Sequence, residues 1–266
     1  MESGLAITSS DAIAARFADL KARGKRALVP YITAGFPDAD RTVEVIHGLQ
    51  DAGADVIELG LPFSDPMADG PVIQASSQHA LELGMNLDRL LELVDRARPT
   101  IPLVLFSYLN PILAAGPDAL VRAADAGFSG ILLTDLPVGC DPEREAWVGE
   151  SALAFIRLVA PTTPQARMSE IAAHGSGFVY LISRLGVTGM RDSLSAELPA
   201  TVQRLRDAST LPVCVGFGVS GPEQAAAVAR IADGVVVGSA IVRATGESVS
   251  AAVALTASLR AAIDAA

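Results

Sequence analysis

The feature that most constrains the fold is a regular alternation of short apolar runs with helical segments along almost the whole chain. Eight runs have the length and the Val, Ile and Leu content of β-strands, and each precedes a stretch with helical periodicity. Segments such as 131–133 and 235–237 are apolar on both faces, which is typical of a parallel sheet covered by helices. The predicted strands are 27–33, 56–60, 103–108, 130–135, 154–159, 178–183, 213–218 and 234–238.

Eight strand–helix units in a chain of 266 residues predict a (β/α)8 TIM barrel. No Pro/Gly/Ser-rich linker interrupts the pattern, so we expect a single domain over residues 1–266, with the barrel from about 27 to 266. An extra amphipathic helix, at about 10–23, is expected to cover the barrel bottom. An open doubly wound sheet is the alternative, and it is weaker because no Gly-x-Gly-x-x-Gly follows the first strand.

Charge and cysteine content argue against several kinds of partner. The formal net charge is -10 without a concentrated basic patch, so a nucleic acid would be repelled. The two cysteines, Cys140 and Cys214, lie far apart and lack metal-ligand spacing, so neither a disulfide framework nor a metal site is expected. No secretory signal or membrane-spanning run is evident, and we therefore expect a cytoplasmic protein.

Two carboxylates, Glu58 and Asp69, are the strongest candidates for acid–base chemistry. Glu58 lies between Ile57 and Leu59 in a predicted strand, where burial should favour its neutral form. Asp69 lies on the polar loop that follows and should stay ionised. Carboxyl groups with separated proton affinities can divide the roles of acid and base. The structural alternative is a salt-bridged strand-end glutamate and an aspartate that caps a turn.

Other polar groups, Tyr108 among them, lie at the ends of predicted strands, at the barrel end where active sites lie. The last two strands end in the glycine-bearing turns 216–220 and 238–240, whose backbone N–H groups match a barrel phosphate site. Tight packing of strand against helix would give the same turns. Tyr31 and Tyr180 are either site residues or core rings. The polar connection 183–192 is interpreted as a lid, although an interface loop would look similar.

The lysines and histidines disfavour both usual aldolase strategies. Lys21 and Lys25, the only lysines, precede the first strand, so no lysine is placed to form a Schiff base. His47, His79 and His174 fall in predicted helices and do not form a metal-ligand set. If a carbon–carbon bond is broken here, the substrate must supply its own electron sink while carboxylates move the protons.

Four motifs together closely resemble the tryptophan synthase alpha-subunit family. They are Glu58 with Pro-Phe-Ser-Asp-Pro-Met-Ala-Asp-Gly-Pro (62–71), Ser-Arg-Leu-Gly-Val-Thr-Gly (183–189), Gly-Phe-Gly-Val-Ser (216–220) and Gly-Ser-Ala-Ile-Val (238–242). The resemblance spans nearly the whole chain. It implies a carbon–carbon lyase of L-tryptophan biosynthesis that cleaves indole-3-glycerol phosphate to indole and D-glyceraldehyde 3-phosphate, without a cofactor or metal in this chain.

The resemblance also implies roles for individual residues. Glu58 would be the general acid–base at indole C3 and at the C3′ hydroxyl, Asp69 would hold the indole N–H, and Tyr180 would lie near the scissile bond. Thr188 matches the lid residue that closes toward the loop aspartate. The expected substrate-binding set is completed by Tyr31, Phe106 and Leu132 around the indole ring, by Gly189, Gly218, Gly238 and Ser239 around the phosphate, and by Phe217.

The implied partner is a beta subunit that carries pyridoxal phosphate and receives indole through a tunnel, in an alpha2-beta2 heterotetramer. Pro62, Asp65, Asn110 and Pro137 match positions that face this subunit or signal to it, while Leu185 departs from the small polar residue of well-studied relatives. Three alternatives stay open: a phosphosugar isomerase or epimerase, a non-catalytic regulatory subunit, and a self-sufficient lyase that releases free indole.

Overall fold

Eight parallel strands in sequence order form a closed barrel in the computed structural model, which describes residues 9–182, 197–216 and 218–266. β1 pairs with both β2 and β8, so the sheet has no free edge and the predicted TIM barrel is confirmed. The open sheet is therefore wrong. The strands are β1 Ala27–Thr33, β2 Ile57–Gly60, β3 Leu103–Ser107, β4 Phe128–Leu133, β5 Ala154–Val159, β6 Val179–Ile182, β7 Val213–Gly216 and β8 Gly234–Val237.

Twelve helices occur in the described residues, and α1 lies where a helix was predicted before the first strand. Among them, none is long and apolar enough to cross a membrane. The helices are α1 Ser9–Ala22, α2 Ala39–Asp51, α3 Pro71–Glu82, α4 Leu87–Ala97, α5 Leu109–Ala114, α6 Ala119–Asp125, α7 Pro142–Gly149, α8 Gln165–Ala173, α9 Leu198–Ala208, α10 Pro222–Ala229, α11 Ser239–Glu247 and α12 Val249–Asp264.

Several strand bounds differ from the prediction; β4, for example, runs from Phe128 to Leu133 rather than over 130–135. Two of the differences have clear local reasons. β3 ends at Ser107 because Tyr108, although extended, is already the N-cap of α5. β7 ends at Gly216 rather than at Gly218, whose φ of 91° belongs to the left-handed region and cannot continue a strand. Both changes move a residue from the sheet to the loops at the carboxyl end of the barrel.

Side-chain alternation divides the core into an inner and an outer layer. In β2, Ile57 and Leu59 pack outward against the helices, whereas Val56, just before the strand, belongs to the interior cluster. Glu58 has the same parity as Val56 and therefore points into the barrel. The apolar outer face fixes this register, because a shift by one residue would turn Glu58 toward the helices.

Helix α1 covers the bottom of the barrel, as predicted. Its buried residues Ile13, Phe17 and Leu20 belong to the interior cluster. The ring of Phe17 lies 5.6 Å from that of Phe178, measured between centroids. The lower half of the barrel is therefore filled with apolar side chains, and polar chemistry is confined to the upper half.

A buried carboxylate, that of Asp55, ties both ends of the chain to the sheet. Asp55 Oδ1 accepts a hydrogen bond from Arg16 of α1 at 2.6 Å. Its Oδ2 accepts hydrogen bonds from the Leu28 N–H at 2.8 Å and from Arg260 of α12 at 2.9 Å. Asp55 thus fixes the helix that covers the bottom as well as the last helix of the chain.

We expect Asp55→Ala to lower the free energy of unfolding by about 3 kcal/mol, because it leaves two arginines and a buried N–H without their partner. Urea unfolding would measure the loss. The matched control is Asp95→Ala, which removes an exposed pair with Arg98 and should cost less than about 0.5 kcal/mol. Equal losses for the two variants would contradict the role of Asp55.

Candidate active site

Glu58 is buried in the barrel interior. Its Cα pairs in register with Tyr31 of β1 and Val104 of β3, and its side chain is 1% exposed. Within the described residues, Glu58 Oε1 has no hydrogen-bond partner and Glu58 enters no ion pair, so the salt-bridge alternative is not supported there. Burial raises the pKa of Glu58 to about 8, a shift in the direction that its apolar neighbours predict.

Asp69 is also buried, which the sequence did not predict. It lies on the loop 61–70 between β2 and α3 and is 6% exposed. Burial raises the pKa of Asp69 to about 6, and a hydrogen bond from Tyr108 partly offsets this rise. Asp69 is therefore mostly ionised at pH 7, as expected, but through a balance of burial and hydrogen bonding rather than through exposure to solvent.

Two interior tyrosines, Tyr31 and Tyr180, connect the two carboxylates. Burial raises the pKa of each tyrosine, and the negative charges of Glu58 and Asp69 both raise it further. Each tyrosine is within electrostatic reach of both carboxyl groups, and Tyr31 is also the register partner of Glu58 on the neighbouring strand. Both hydroxyls remain protonated at neutral pH and keep their donor hydrogens.

Two glycines make room for these tyrosines, and the sequence gave no separate signal for them. A Cβ atom on Gly60 would lie 2.1 Å from Tyr31 Oη, and one on Gly216 would lie 2.1 Å from Tyr180 Oη. Neither distance is sterically possible. Each glycine ends the strand next to its tyrosine, so a small residue at the barrel mouth opposite an interior tyrosine is the pattern that could have identified them.

An apolar wall adjoins the carboxylates. Phe106 and Leu132 are register partners on β3 and β4, and both belong to the interior cluster that contains Tyr31. The rings of Tyr31 and Phe106 meet edge to face, with centroids 5.1 Å apart. The structure therefore brings together the three residues predicted to contact a flat aromatic group.

The predicted anion site lies at the ends of two neighbouring strands. Gly218 follows β7, and Gly238 follows β8 and is the N-cap of α11. Ser239 is exposed at the first position of that helix, where unpaired backbone N–H groups favour an anion. A Cβ atom on Gly238 would lie 3.8 Å from the Cβ of Tyr31, so this turn adjoins the aromatic wall.

Three predicted site residues, Thr188, Gly189 and Phe217, lie outside the described residues, as does the predicted lid 183–192. In the part of the chain that the structure describes, no group of three or more His, Cys, Asp or Glu side chains is placed to hold a metal ion.

Tyr108 is a site residue that the sequence identified only as one of several polar strand ends. Its hydroxyl donates a hydrogen bond to Asp69 Oδ2 at 3.1 Å and accepts one from the Ala68 N–H at 2.9 Å. The available signal in the sequence was its position directly after β3, the strand that carries Phe106. The contact with the preceding strand's loop required three-dimensional information.

The arrangement is suited to moving protons on a flat, apolar substrate that carries an anion. Burial raises the pKa of Glu58 to about 8 and that of Asp69 to about 6, Tyr31 lies within electrostatic reach of both, and the N-terminus of α11, where an anion is favoured, adjoins Tyr31. A protonated acid can deliver a proton to carbon, and the ionised group can stabilise the positive charge that follows.

Comparison with known proteins places these residues in a family. A family model described as "Tryptophan synthase alpha chain" matches residues 17–264. The tryptophan synthase alpha chain of Citrifermentans bemidjiense is 50% identical over 234 residues, which cover 87% of this chain and 88% of the relative. That of Desulfatibacillum aliphaticivorans is 49% identical over 240 residues, which cover 87% and 89%.

Solved structures agree with the sequence matches. Tryptophan synthase subunit alpha from Legionella pneumophila superposes with a TM-score of 0.88 at 38% identity, covering 98% of this chain and 100% of that chain. A chain of Mycobacterium tuberculosis tryptophan synthase superposes with a TM-score of 0.87 at 36% identity, covering 94% and 97%.

Proposed function

The chain belongs to the tryptophan synthase alpha chain family, and we propose that it cleaves indole-3-glycerol phosphate with Glu58 and Asp69 as its acid–base pair. The reaction is the retro-aldol step of tryptophan biosynthesis, and its products are indole and D-glyceraldehyde 3-phosphate. The enzyme is thus a carbon–carbon lyase. The observation that carries the proposal is the pair of buried carboxyl groups, Glu58 inside the barrel and Asp69 on the loop that follows β2, with Tyr31 and Tyr180 within electrostatic reach of both.

Glu58 supplies and recovers the proton. In its neutral form it protonates C3 of the indole ring, which converts the ring into an iminium ion. Glu58, now ionised, accepts the proton of the C3′ hydroxyl. The O–H electrons form the aldehyde carbonyl, the C3–C3′ bond breaks, and its electron pair restores the C2–C3 double bond while the iminium electrons return to nitrogen. The acid is regenerated in each turnover.

Asp69 acts on the opposite side of the ring system. Its ionised carboxylate accepts a hydrogen bond from the indole N–H and stabilises the positive charge that develops on nitrogen. Burial strengthens this interaction, since charges attract more strongly in an apolar cavity than in water. The indole ring thereby replaces the Schiff base or metal ion that other aldol-cleaving enzymes use as an electron sink.

The remaining predicted residues hold the substrate. Tyr31, Phe106 and Leu132 pack against the indole ring, while Tyr180 lies beside the bond that breaks. The phosphate binds to backbone groups at Gly218 and Gly238 and to the Ser239 hydroxyl, without a lysine. Thr188, Gly189 and Phe217 complete the substrate-binding set, and closure of the lid 183–192 excludes water. The 1–266 chain works as one cytoplasmic domain.

The pKa values define a pH window for the reaction. The chemistry needs Asp69 ionised and Glu58 protonated in the free enzyme. Because burial raises the pKa of Asp69 to about 6, kcat/KM rises as the pH passes through that value. Because burial raises the pKa of Glu58 to about 8, kcat/KM falls again above it.

We expect Glu58→Gln and Asp69→Asn each to lower kcat for indole release by about 10²–10⁴-fold, because each substitution keeps the shape but removes the proton-transfer group or the charge. Single-turnover indole release would measure the loss. The control is Glu92→Gln, which neutralises an exposed glutamate on α4. Near-normal release by folded Glu58→Gln protein would refute the mechanism, and failure of wild type to cleave this substrate would favour a phosphosugar isomerase.

The same proposal includes a partner, a tryptophan synthase beta subunit that carries pyridoxal phosphate and forms an alpha2-beta2 heterotetramer with this chain. Three of the four predicted partner-facing residues, Asp65, Asn110 and Pro137, are exposed around the barrel mouth, whereas Pro62 is buried. Met67, on the loop that carries Asp69, is 88% exposed, which is unusual for a large apolar side chain. Docking there would couple the partner to the site.

We expect Met67→Asp to abolish co-elution with the beta subunit and the stimulation of indole release, because it places a charge in an apolar contact. Size-exclusion chromatography and activity with added beta subunit would measure both. Val121→Asp, at another exposed apolar position, is the control and should change neither. A wild-type chain with high turnover alone and no stimulation would instead be a self-sufficient lyase.

A further inference from the structure

One buried hydroxyl, that of Tyr108, joins the loop that carries Asp69 to the barrel. We propose that Tyr108 is a positioning residue, which holds the Asp69 carboxylate and the turn before it in the orientation that the reaction requires. This inference rests on the proposed function, because it assigns Tyr108 a role through Asp69. In this role Tyr108 acts only through Asp69 and does not contact the substrate.

The tyrosine contacts both the side chain and the backbone of the loop. Tyr108 Oη donates to Asp69 Oδ2 at 3.1 Å and accepts from the Ala68 N–H at 2.9 Å. Both capacities of the hydroxyl are used on adjacent residues, so the carboxylate cannot rotate away without loss of a hydrogen bond. The side chain of Tyr108 is 5% exposed, and water has little access to replace either contact.

The barrel holds Tyr108 in place from its other side. Tyr108 follows β3 directly and is the N-cap of α5. Its carbonyl oxygen accepts a hydrogen bond from the Ser107 hydroxyl at 2.9 Å, and the next residue, Leu109, donates its N–H to Asp135 at 2.7 Å. The ring of Phe63 packs against the tyrosine ring, with centroids 5.1 Å apart. The hydroxyl is therefore a fixed point to which the loop is attached.

A second contact holds the same loop without touching the carboxylate. Gln74 on α3 is exposed, and its side-chain amide donates to the backbone carbonyl oxygen of Asp69 at 2.9 Å. Loss of Gln74 would loosen the backbone but leave the hydrogen bond to the carboxylate intact. A comparison of Tyr108 and Gln74 variants therefore distinguishes orientation of the carboxylate from general support of the loop.

The electrostatics around Asp69 give the proposal a pH readout. Among the described residues, the titratable groups in electrostatic contact with Asp69 are Tyr31 from β1, Tyr180 from β6 and Tyr108 itself, and Glu58 from β2 acts on the first two of these tyrosines. Burial, together with the charge of Asp69, raises the pKa of Tyr108 far above neutral pH, so its hydroxyl remains a donor throughout the working range. Its hydrogen bond favours the ionised form of Asp69 and lowers that pKa.

The test compares the pH dependence of kcat/KM for indole-3-glycerol phosphate cleavage in wild type, Tyr108→Phe and Gln74→Met. The acid limb of this profile is the rise of kcat/KM as Asp69 becomes ionised. For Tyr108→Phe we expect the acid limb to move to higher pH by about one unit, the size expected for one lost hydrogen bond to a charged acceptor. We also expect kcat to fall about tenfold while KM changes less, because the oriented charge acts mainly in the transition state. Gln74→Met should leave the acid limb at its wild-type pH.

Incorporation of 3-fluorotyrosine at position 108 gives a second readout that keeps the packing. Fluorination makes the phenol a stronger donor, so we expect the acid limb to move to lower pH, opposite to the phenylalanine variant. This arm remains informative if Tyr108→Phe does not fold.

Two results would overturn the inference. One is an acid limb that is unchanged in both Tyr108 proteins, and the other is an equal shift in Tyr108→Phe and Gln74→Met, which would indicate loop support alone. Asp69→Asn separates this failure from failure of the proposed function. If Asp69→Asn abolishes the acid limb and activity while the Tyr108 proteins behave as wild type, only the inference fails, whereas an active Asp69→Asn enzyme would refute the proposed function itself.

Discussion

The chemistry of this site depends on the burial of one carboxyl group, that of Glu58. Glu58 lies on the inner face of β2, and within the described residues its Oε1 atom receives no hydrogen bond. A charge in such a place is costly, so the group binds a proton and becomes an acid at neutral pH. The closed sheet and the helix beneath it keep the lower barrel filled with apolar side chains, and this environment maintains the raised proton affinity.

The second carboxylate shows how small differences in surroundings assign different roles. Asp69 is almost as buried as Glu58, yet it receives a hydrogen bond from Tyr108 and its pKa is raised to only about 6. Two tyrosines, Tyr31 and Tyr180, lie within reach of both groups, and glycines on the adjacent strands admit their hydroxyls. The barrel mouth thus combines an acid, a base and an apolar wall without a metal-ligand cluster among the described residues.

The sequence predicted the features that follow from the periodicity of apolar residues and from composition. It missed those that depend on contacts between loops far apart in the chain. The apolar neighbours Ile57 and Leu59 were enough to predict that Glu58 is buried in a strand and that burial favours its neutral form. The polar composition of the loop gave no sign that Asp69 is buried, whereas in the structure it is 6% exposed and accepts hydrogen bonds from Tyr108 and Gln74. No local pattern reports that Tyr108 would reach across to a loop on the neighbouring strand, since the contact joins residues 39 positions apart.

Infrared difference spectroscopy of the carboxyl groups tests the central claim most directly. Spectra of wild type and Glu58→Gln, titrated from about pH 5.5 to 9.5, would isolate the C=O band of protonated Glu58. Our account predicts that this band is present at neutral pH and disappears with a midpoint near 8, in keeping with a pKa that burial raises to about 8. Absence of the band at neutral pH, with Glu58 ionised throughout the range, would contradict it.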